Sequence, residues 1–201
     1  MQKQKQLHRV IKLVEKHGIL RPRDLDAHGI PREYLRQLYE RGELERTGRG
    51  LYVLSEGEVT ENHSLAQAAK RISRGVISLL SALRFHELTT QLPYEVWMTI
   101  EVKAWTPKVD SLRMRFIRAS GRAFTEGVQI HHIEGVPVRI YDAGKTVVDC
   151  FKYRNKVGLD VAIEALKDCI TQRKATMDQL WTYAGICRVS NIMRPYMEAM
   201  A

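Results

Sequence analysis

Leu7, Val10, Ile11 and Val14 recur at spacings of three and four, which puts them on one face of a first helix. Lys16-His17-Gly18 ends that helix with basic residues in the last turn and a glycine suited to a left-handed cap. Ile19-Leu20 is a short apolar link. Pro22 suits the first turn of a second, short helix that carries Leu25 and stops near Gly29. Pro31 opens a third helix, Arg32 to Arg41, which Gly42 closes. From Leu44 to Leu54 two short strand-like pieces flank the tip Gly48-Arg49-Gly50, the pattern of a β-hairpin.

Ser55-Glu56-Gly57-Glu58 is a polar link and the expected boundary between a domain of residues 1–58 and one of residues 59–201. Beyond it, Asn62 to Arg71 reads as a helix with Leu65, Ala68, Ala69 and Ile72 roughly on one face. Gly75-Val76-Ile77-Ser78 leads into a helix from Leu79 to His86, with Ser78 as its N-cap. Val96 to Val102 is β-prone. Leu112, Met114 and Phe116 alternate with Arg113 and Arg115, as in a half-buried strand. Val128 and Ile130, then Val136, Val138 and Ile140, predict two strands joined across Glu134-Gly135. Asp142 caps a helix of Lys145 to Tyr153. Helices over Leu159 to Gln172, Met177 to Ala184 and Asn191 to Met200 finish the chain. Thr176 with Gln179 forms a capping box for the second of these, Ser190 caps the third, and Pro195 kinks it.

Three short helices followed by a basic hairpin is the plan of a winged helix-turn-helix. There the last helix enters the major groove, and the wing reaches phosphates or the minor groove. The fold class is therefore α+β: an N-terminal winged helix-turn-helix, then a mixed α/β domain ending in helices. On the third helix Leu35 and Leu38, with Ile30 before it, pack inward and leave Arg32, Glu33, Arg36, Gln37 and Glu40 outside. Arg can bridge guanine O6 and N7, and Gln can bridge adenine N6 and N7, so Arg32, Arg36 and Gln37 suit base reading. Tyr34 has two open readings, stacking on a sugar or closing the core. Arg46, Thr47 and Arg49, on or beside a glycine-bearing tip, suit phosphate contact.

Charge strengthens this picture. The chain carries a net +9, and residues 1–54 hold 12 Lys and Arg against 7 Asp and Glu, while the other 147 residues hold 20 against 16. Positive charge thus concentrates where a polyanion would bind. At 44% hydrophobic and 27% charged the composition is that of an ordinary globular protein. No apolar run reaches about 18 residues, so no membrane span is expected. The first residues lack the apolar core of a signal peptide, which predicts a cytoplasmic protein. Cys150, Cys169 and Cys187 are odd in number and widely spaced, and read as buried hydrophobes.

The run Gly42-Glu43-Leu44-Glu45-Arg46-Thr47-Gly48-Arg49-Gly50-Leu51-Tyr52-Val53-Leu54 resembles the wing of AbiEi-type antitoxins of type IV toxin–antitoxin (abortive infection) systems. The resemblance continues through Val76-Ile77-Ser78 and Ser81-Ala82-Leu83. It is clearest in Gly135-Val136-Pro137-Val138-Arg139-Ile140-Tyr141-Asp142 with Lys145-Thr146-Val147-Val148-Asp149, and extends along Ala162 to Ala201. It implies a bacterial repressor that binds operator repeats in its own promoter, double-stranded DNA being its partner. It also implies a protein that counters a nucleotidyltransferase-like toxin without forming a stable complex, its second domain contributing to that action. The alternative is a stand-alone winged-helix transcription factor whose second domain senses a ligand or partner.

Other chemistry is weakly marked, so neither an enzyme nor a cofactor or metal is expected. Glu101-Val102-Lys103 has the Glu-x-Lys form of PD-(D/E)xK nucleases, but no aspartate lies between Glu61 and Glu101 to complete the metal site. His131 and His132 are neighbours on a strand and point to opposite faces. Arg113, Arg115, Arg118 and Arg122 form a possible second basic patch. It reads either as a solubilising outer face or as a second contact to nucleic acid.

Overall fold

The computed structural model describes residues 2–55, 60–106 and 112–200. It is α+β, as the patterning predicts, and its contacts divide it into two units. The first runs through Ser73 and takes in Leu112 and His132–Val138, and the second holds the rest.

In the first unit, α1 (Gln2–His17) buries Leu7, Val10 and Val14 and ends where Gly18 turns left-handed, its N–H on the Val14 carbonyl at 2.7 Å. Pro22–His28 is a 3₁₀ helix, tighter than an α-helix, and Gly29 closes it at φ +62°. Asp24 folds back onto Arg21 in that turn. Next come α2 (Glu33–Glu40) and the antiparallel pair β1 (Leu44–Gly48) and β2 (Leu51–Leu54). Leu20 and Tyr52 exchange two backbone hydrogen bonds of 2.9 Å, which fasten the hairpin to the segment before the 3₁₀ helix. Leu25, Ile30, Leu35, Leu38 and Leu44 close the core.

The helix α3 (His63–Arg71) also belongs to this first unit. The polar link expected at 55–58 lies outside the described residues except for Ser55. The unit nonetheless continues past it, because Gln67, Lys70 and Arg71 of α3 reach Thr47, Asp24 and Arg49. His132–Val138 supplies the tip of a later hairpin. There Glu134 accepts from the Thr60 N–H at 2.9 Å and lies 2.6 Å from His63 Nδ1.

The chain next forms β3 (Val76–Ile77), α4 (Leu79–Phe85), β4 (Val96–Glu101), β5 (Met114–Ala119), α5 (Arg122–Thr125), β6 (Val128–Ile133) and β7 (Val136–Tyr141). The five strands stand in the order β5-β4-β3-β7-β6. β3 runs antiparallel to β4 and parallel to β7, and β4 runs parallel to β5. Four helices follow α6 (Ala143–Lys152): α7 (Arg154–Val157), α8 (Leu159–Thr171), α9 (Met177–Cys187) and α10 (Ser190–Glu198). Asp142 caps α6 by accepting the Lys145 N–H, and the Thr176–Gln179 capping box is formed. Every residue of α6 from Ala143 to Phe151 is buried, so α6 is the central helix of the second unit. It carries a buried ion pair, Lys145 Nζ to Asp149 Oδ2 at 2.6 Å. Burial pushes the Asp149 carboxyl up against the opposing pull of Lys145.

Two expected caps differ. Ser78 sits at the N-cap position of α4, but its hydroxyl accepts from Thr99 Oγ1 at 2.9 Å instead of capping. Ser190 is the first residue of α10 and Val189 holds the cap position. Pro195 lies inside α10. The short elements β3, α5 and α7 carry too few residues to show a period in the sequence.

Candidate nucleic-acid interface

Amphipathic spacing sets the outer side of α2. Leu35 and Leu38 are buried, and Arg36 faces solvent with its side chain 75% exposed. Each candidate reader on this helix is held by an acid. Arg32 Nε donates to Asp26 Oδ1 at 2.9 Å, Arg36 Nε lies 3.4 Å from Glu40 Oε1, and Gln37 Nε2 donates to Glu33 Oε1 at 2.9 Å. The Arg32 hydrogen bond holds the Asp26 carboxyl below its usual range and raises the Arg32 guanidinium. Exposed pairs of this kind are weakened by solvent and salt, so a phosphate or a base edge can displace them. The acids also hold down the net charge of the helix surface, which limits indiscriminate attraction to DNA.

Gln37 departs from the expected picture. It is half-buried, and its Oε1 is buried without a hydrogen-bond partner. To present both amide atoms to an adenine, the side chain must turn out of this position. Tyr34 is half-buried against the core of its unit, which favours the core-closing reading over sugar stacking.

The wing is built around a bulge. Arg46 pairs with Tyr52 and Gly48 with Leu51, which leaves Thr47 as the extra residue. Gly50 takes φ +69° and turns the tip. Arg46 and Arg49 are exposed, and the Arg46 Nε donates to the Gly48 carbonyl at 3.3 Å. Thr47 does not share that exposure. Its hydroxyl is buried without a partner, so it stands away from any phosphate track in this conformation.

Sequence reasoning missed what supports the wing. Gln67, only 7% exposed, donates to the Thr47 carbonyl at 3.3 Å, and Arg71 Nη2 donates to the Arg49 carbonyl at 3.3 Å. One turn along, Lys70 Nζ lies 3.1 Å from Asp24 Oδ2, which also receives the Arg21 N–H at 2.9 Å. Burial works to raise the Asp24 carboxyl, but the Arg21 and Lys70 contacts outweigh it and leave it lowered. A glutamine inside the apolar run Leu65-Ala66-Gln67-Ala68-Ala69 was the signal that could have found this brace.

The second basic patch is not one ridge. Arg113 and Arg115 are exposed on alternate positions, and Arg115 lies over the Trp97 ring at 4.7 Å beside Glu95. Arg118 bonds to the carbonyls of Val102 and Ala104 at 2.7 and 2.8 Å, and Arg122 pairs with Glu126 at 3.2 Å. Glu101 and Lys103 lie exposed at and beyond the end of β4. His131 packs edge-on to Phe85 at 4.8 Å, whereas His132 is exposed. Among the described residues no three His, Cys, Asp or Glu side chains group to hold a metal. The three cysteines are buried and free, and burial pushes Cys169 and Cys187 up to about 11 and Cys150 higher still. No helix of the described residues is long and apolar enough to cross a membrane.

Residues 8–55, the stretch from α1 to the end of the wing, match the sequence model of the family described as "Transcriptional regulator, AbiEi antitoxin". Over these residues the family resemblance read from the sequence is borne out: the stretch is similar to the regulator domain of AbiEi antitoxins. No curated protein matches the sequence. The crystal structure of the RV2827C protein from Mycobacterium tuberculosis is similar at a TM-score of 0.60 and 13% sequence identity, over 90% of this chain and 71% of that one. At such low identity the likeness speaks for the fold alone.

Proposed function

We propose that this protein is a type IV antitoxin that represses its own operon. The N-terminal unit binds operator repeats as double-stranded DNA, with α2 in the major groove and the wing on the backbone. Arg36 and Arg32 are the base readers once they leave Glu40 and Asp26, and Gln37 joins them after turning outward. Arg46 and Arg49 are the phosphate contacts. The second unit counters a nucleotidyltransferase-like toxin without forming a stable complex. The reading assigns the chain no catalytic step and no cofactor.

The observation that carries this proposal is the bulged, braced wing with exposed Arg46 and Arg49 directly after an exposed α2, inside the stretch that matches the antitoxin regulator family. The test uses the intact protein on DNA from upstream of its own gene, beside random duplex of equal length. It also co-expresses the adjacent gene product and follows growth. Preference for the promoter together with rescue of growth supports both halves. Equal binding to both duplexes removes the repressor half, and no rescue removes the antitoxin half.

A further inference from the structure

The second unit contains a concavity of about 670 Å³ that DNA binding by α2 and the wing does not use. That volume lies in the usual range for small-molecule sites, roughly 300–1,000 Å³. Its walls come from the end of β5, the start of α5, the end of α6 and the last turn of α9. Four of its lining residues are cations, namely Arg118, Arg122, Lys152 and Arg188, and none is acidic.

Arg118 is held in place more than it is neutralised. Arg118 Nη1 donates to the Val102 and Ala104 carbonyls at 2.7 and 2.8 Å, and Nη2 donates to Thr106 Oγ1 at 2.7 Å. The Tyr153 hydroxyl donates to the Arg118 carbonyl at 3.2 Å, tying the strand end to the helix behind it. Neutral dipoles therefore fix the guanidinium, and its charge remains for a ligand. Among the described residues no carboxylate pairs with Arg118, Lys152 or Arg188, and only Arg122 has such a partner, Glu126. Cations gathered in a concavity focus an anion more strongly than the same charges spread over a flat surface.

Gly185 points the same way. It stands inside α9, where glycine weakens a helix. A Cβ built on it meets nothing within 4 Å, so protein packing does not demand the glycine. It leaves room in the cavity wall. The loop that Arg118 grips also carries the aromatic Trp105, which lies outside the lining itself and is 76% exposed. Such side chains stack on nucleobases.

We infer that this cavity binds a phosphorylated small molecule of nucleotide size, its phosphates held by Arg118, Arg122, Lys152 and Arg188. The inference does not depend on the DNA-binding reading, and either can fail alone.

Isothermal titration of the intact protein at low salt tests it, with ATP and inorganic triphosphate as probes and a 5′-hydroxyl oligoribonucleotide as a third arm. One saturable site is expected for the phosphate probes. Arg188→Glu reverses a charge and should weaken binding by at least about tenfold, the scale of one charge-assisted contact. Gly185→Leu fills the space with all cations kept and should weaken binding by excluding the ligand. Circular dichroism checks that both variants fold, and Arg188→Gln stands in for either that does not. Equal affinity for ATP and triphosphate assigns the site to phosphate alone. Tighter ATP binding that Trp105→Ala reduces to the triphosphate level adds the base. The inference is overturned if neither phosphate probe saturates, if the folded variants bind as the parent does, or if only the oligoribonucleotide binds.

Discussion

Gly18 lies so close to Glu134 that a Cβ added to it would stand 1.4 Å from the Glu134 carbonyl oxygen. The C-terminal end of α1 and the tip of the β6–β7 hairpin, 116 residues apart in sequence, thus meet backbone to backbone within the first unit. Gly18 is also at φ +64°, where a side chain costs roughly 1–2 kcal/mol. Gly29 has nearly the same φ, +62°, and nothing within 4 Å. Gly29→Ala should therefore lose only about 1–2 kcal/mol of stability in urea unfolding. Gly18→Ala should lose on the order of 3–5 kcal/mol, because the hairpin tip must also move away. Equal losses would show that the close approach is not maintained in solution.

Glu134 gives the same hairpin tip a dependence on pH. Its Oε1 accepts from the Thr60 N–H and hydroxyl at 2.9 and 2.8 Å, and its Oε2 lies 2.6 Å from His63 Nδ1. Burial tends to raise this carboxyl, but the His63 and Thr60 hydrogen bonds outweigh it and hold the pKa below its ordinary 4.5. A carboxyl depressed by folding stabilises the native state above its unfolded pKa, and that contribution is lost as pH falls through the folded value. Glu134→Gln should thus be less stable than the parent at neutral pH, with the gap closing as pH drops below 4.5. Denaturation midpoints across that interval measure it, and a constant gap would count against the ionised pairing.

On α2, Arg36 and Glu40 should have opposite effects. Replacing Arg36 by Ala should cost about 1–3 kcal/mol on the operator and little on random duplex if it makes a bidentate base contact. Glu40→Gln releases Arg36 and removes a negative charge from the surface proposed to meet DNA, so it should strengthen binding to both duplexes. Fluorescence anisotropy reads both effects. Equal weakening by Arg36→Ala on both duplexes would make it a phosphate contact.

The wing should act through charge. Arg46→Ala with Arg49→Ala should weaken binding to all sequences alike and lower the slope of log affinity against log salt by about 2, since each phosphate contact contributes roughly 0.9. Gln67→Ala leaves both arginines in place and removes the hydrogen bond to the Thr47 carbonyl. It should reduce affinity while leaving that slope nearly unchanged. A drop of slope as large as that of the double variant would mean that the brace sets the charge contact itself.

How far the chain could be read in advance depended on whether the deciding contacts were local. Leu35, Leu38 and the Gly48-Arg49-Gly50 tip lie within one element each, and period and turn chemistry identified both. The Thr176–Gln179 box is a three-residue relationship and was equally legible. Gln67 was not, because its partner Thr47 lies twenty residues away and the polar link between them looked like a boundary. Glu134 was read as part of a turn, which it is, but its ligands Thr60 and His63 are more than seventy residues distant. The face of Gln37 was misjudged for a different reason. Helical spacing places it beside exposed Arg36, yet whether an amide points outward depends on its rotamer, which spacing does not fix. Lys145 and Asp149 have the i, i+4 spacing of a solvent-exposed pair, and only the burial of α6 on all sides shows that they are not one.

The two proposed roles should separate within the intact chain. Arg36, Arg46 and Arg49 are exposed in the first unit, and the Glu40 side chain that Arg36 would leave is itself exposed. Arg36→Ala, Arg46→Ala and Arg49→Ala together should therefore leave stability within about 0.5 kcal/mol of the parent, as surface changes usually do. The triple variant should lose repression of a promoter fused to a reporter. It should still restore growth against the adjacent gene product, because that role is assigned to the second unit. Truncation is the less informative route. A cut at residue 59 removes α3, and any cut between the units removes the His132–Val138 tip from the first of them. Growth rescue and reporter output, measured in the same cells, decide the matter. If the triple variant folds like the parent and loses both activities, toxin control depends on DNA binding, and the assignment of antitoxin action to the second unit is wrong.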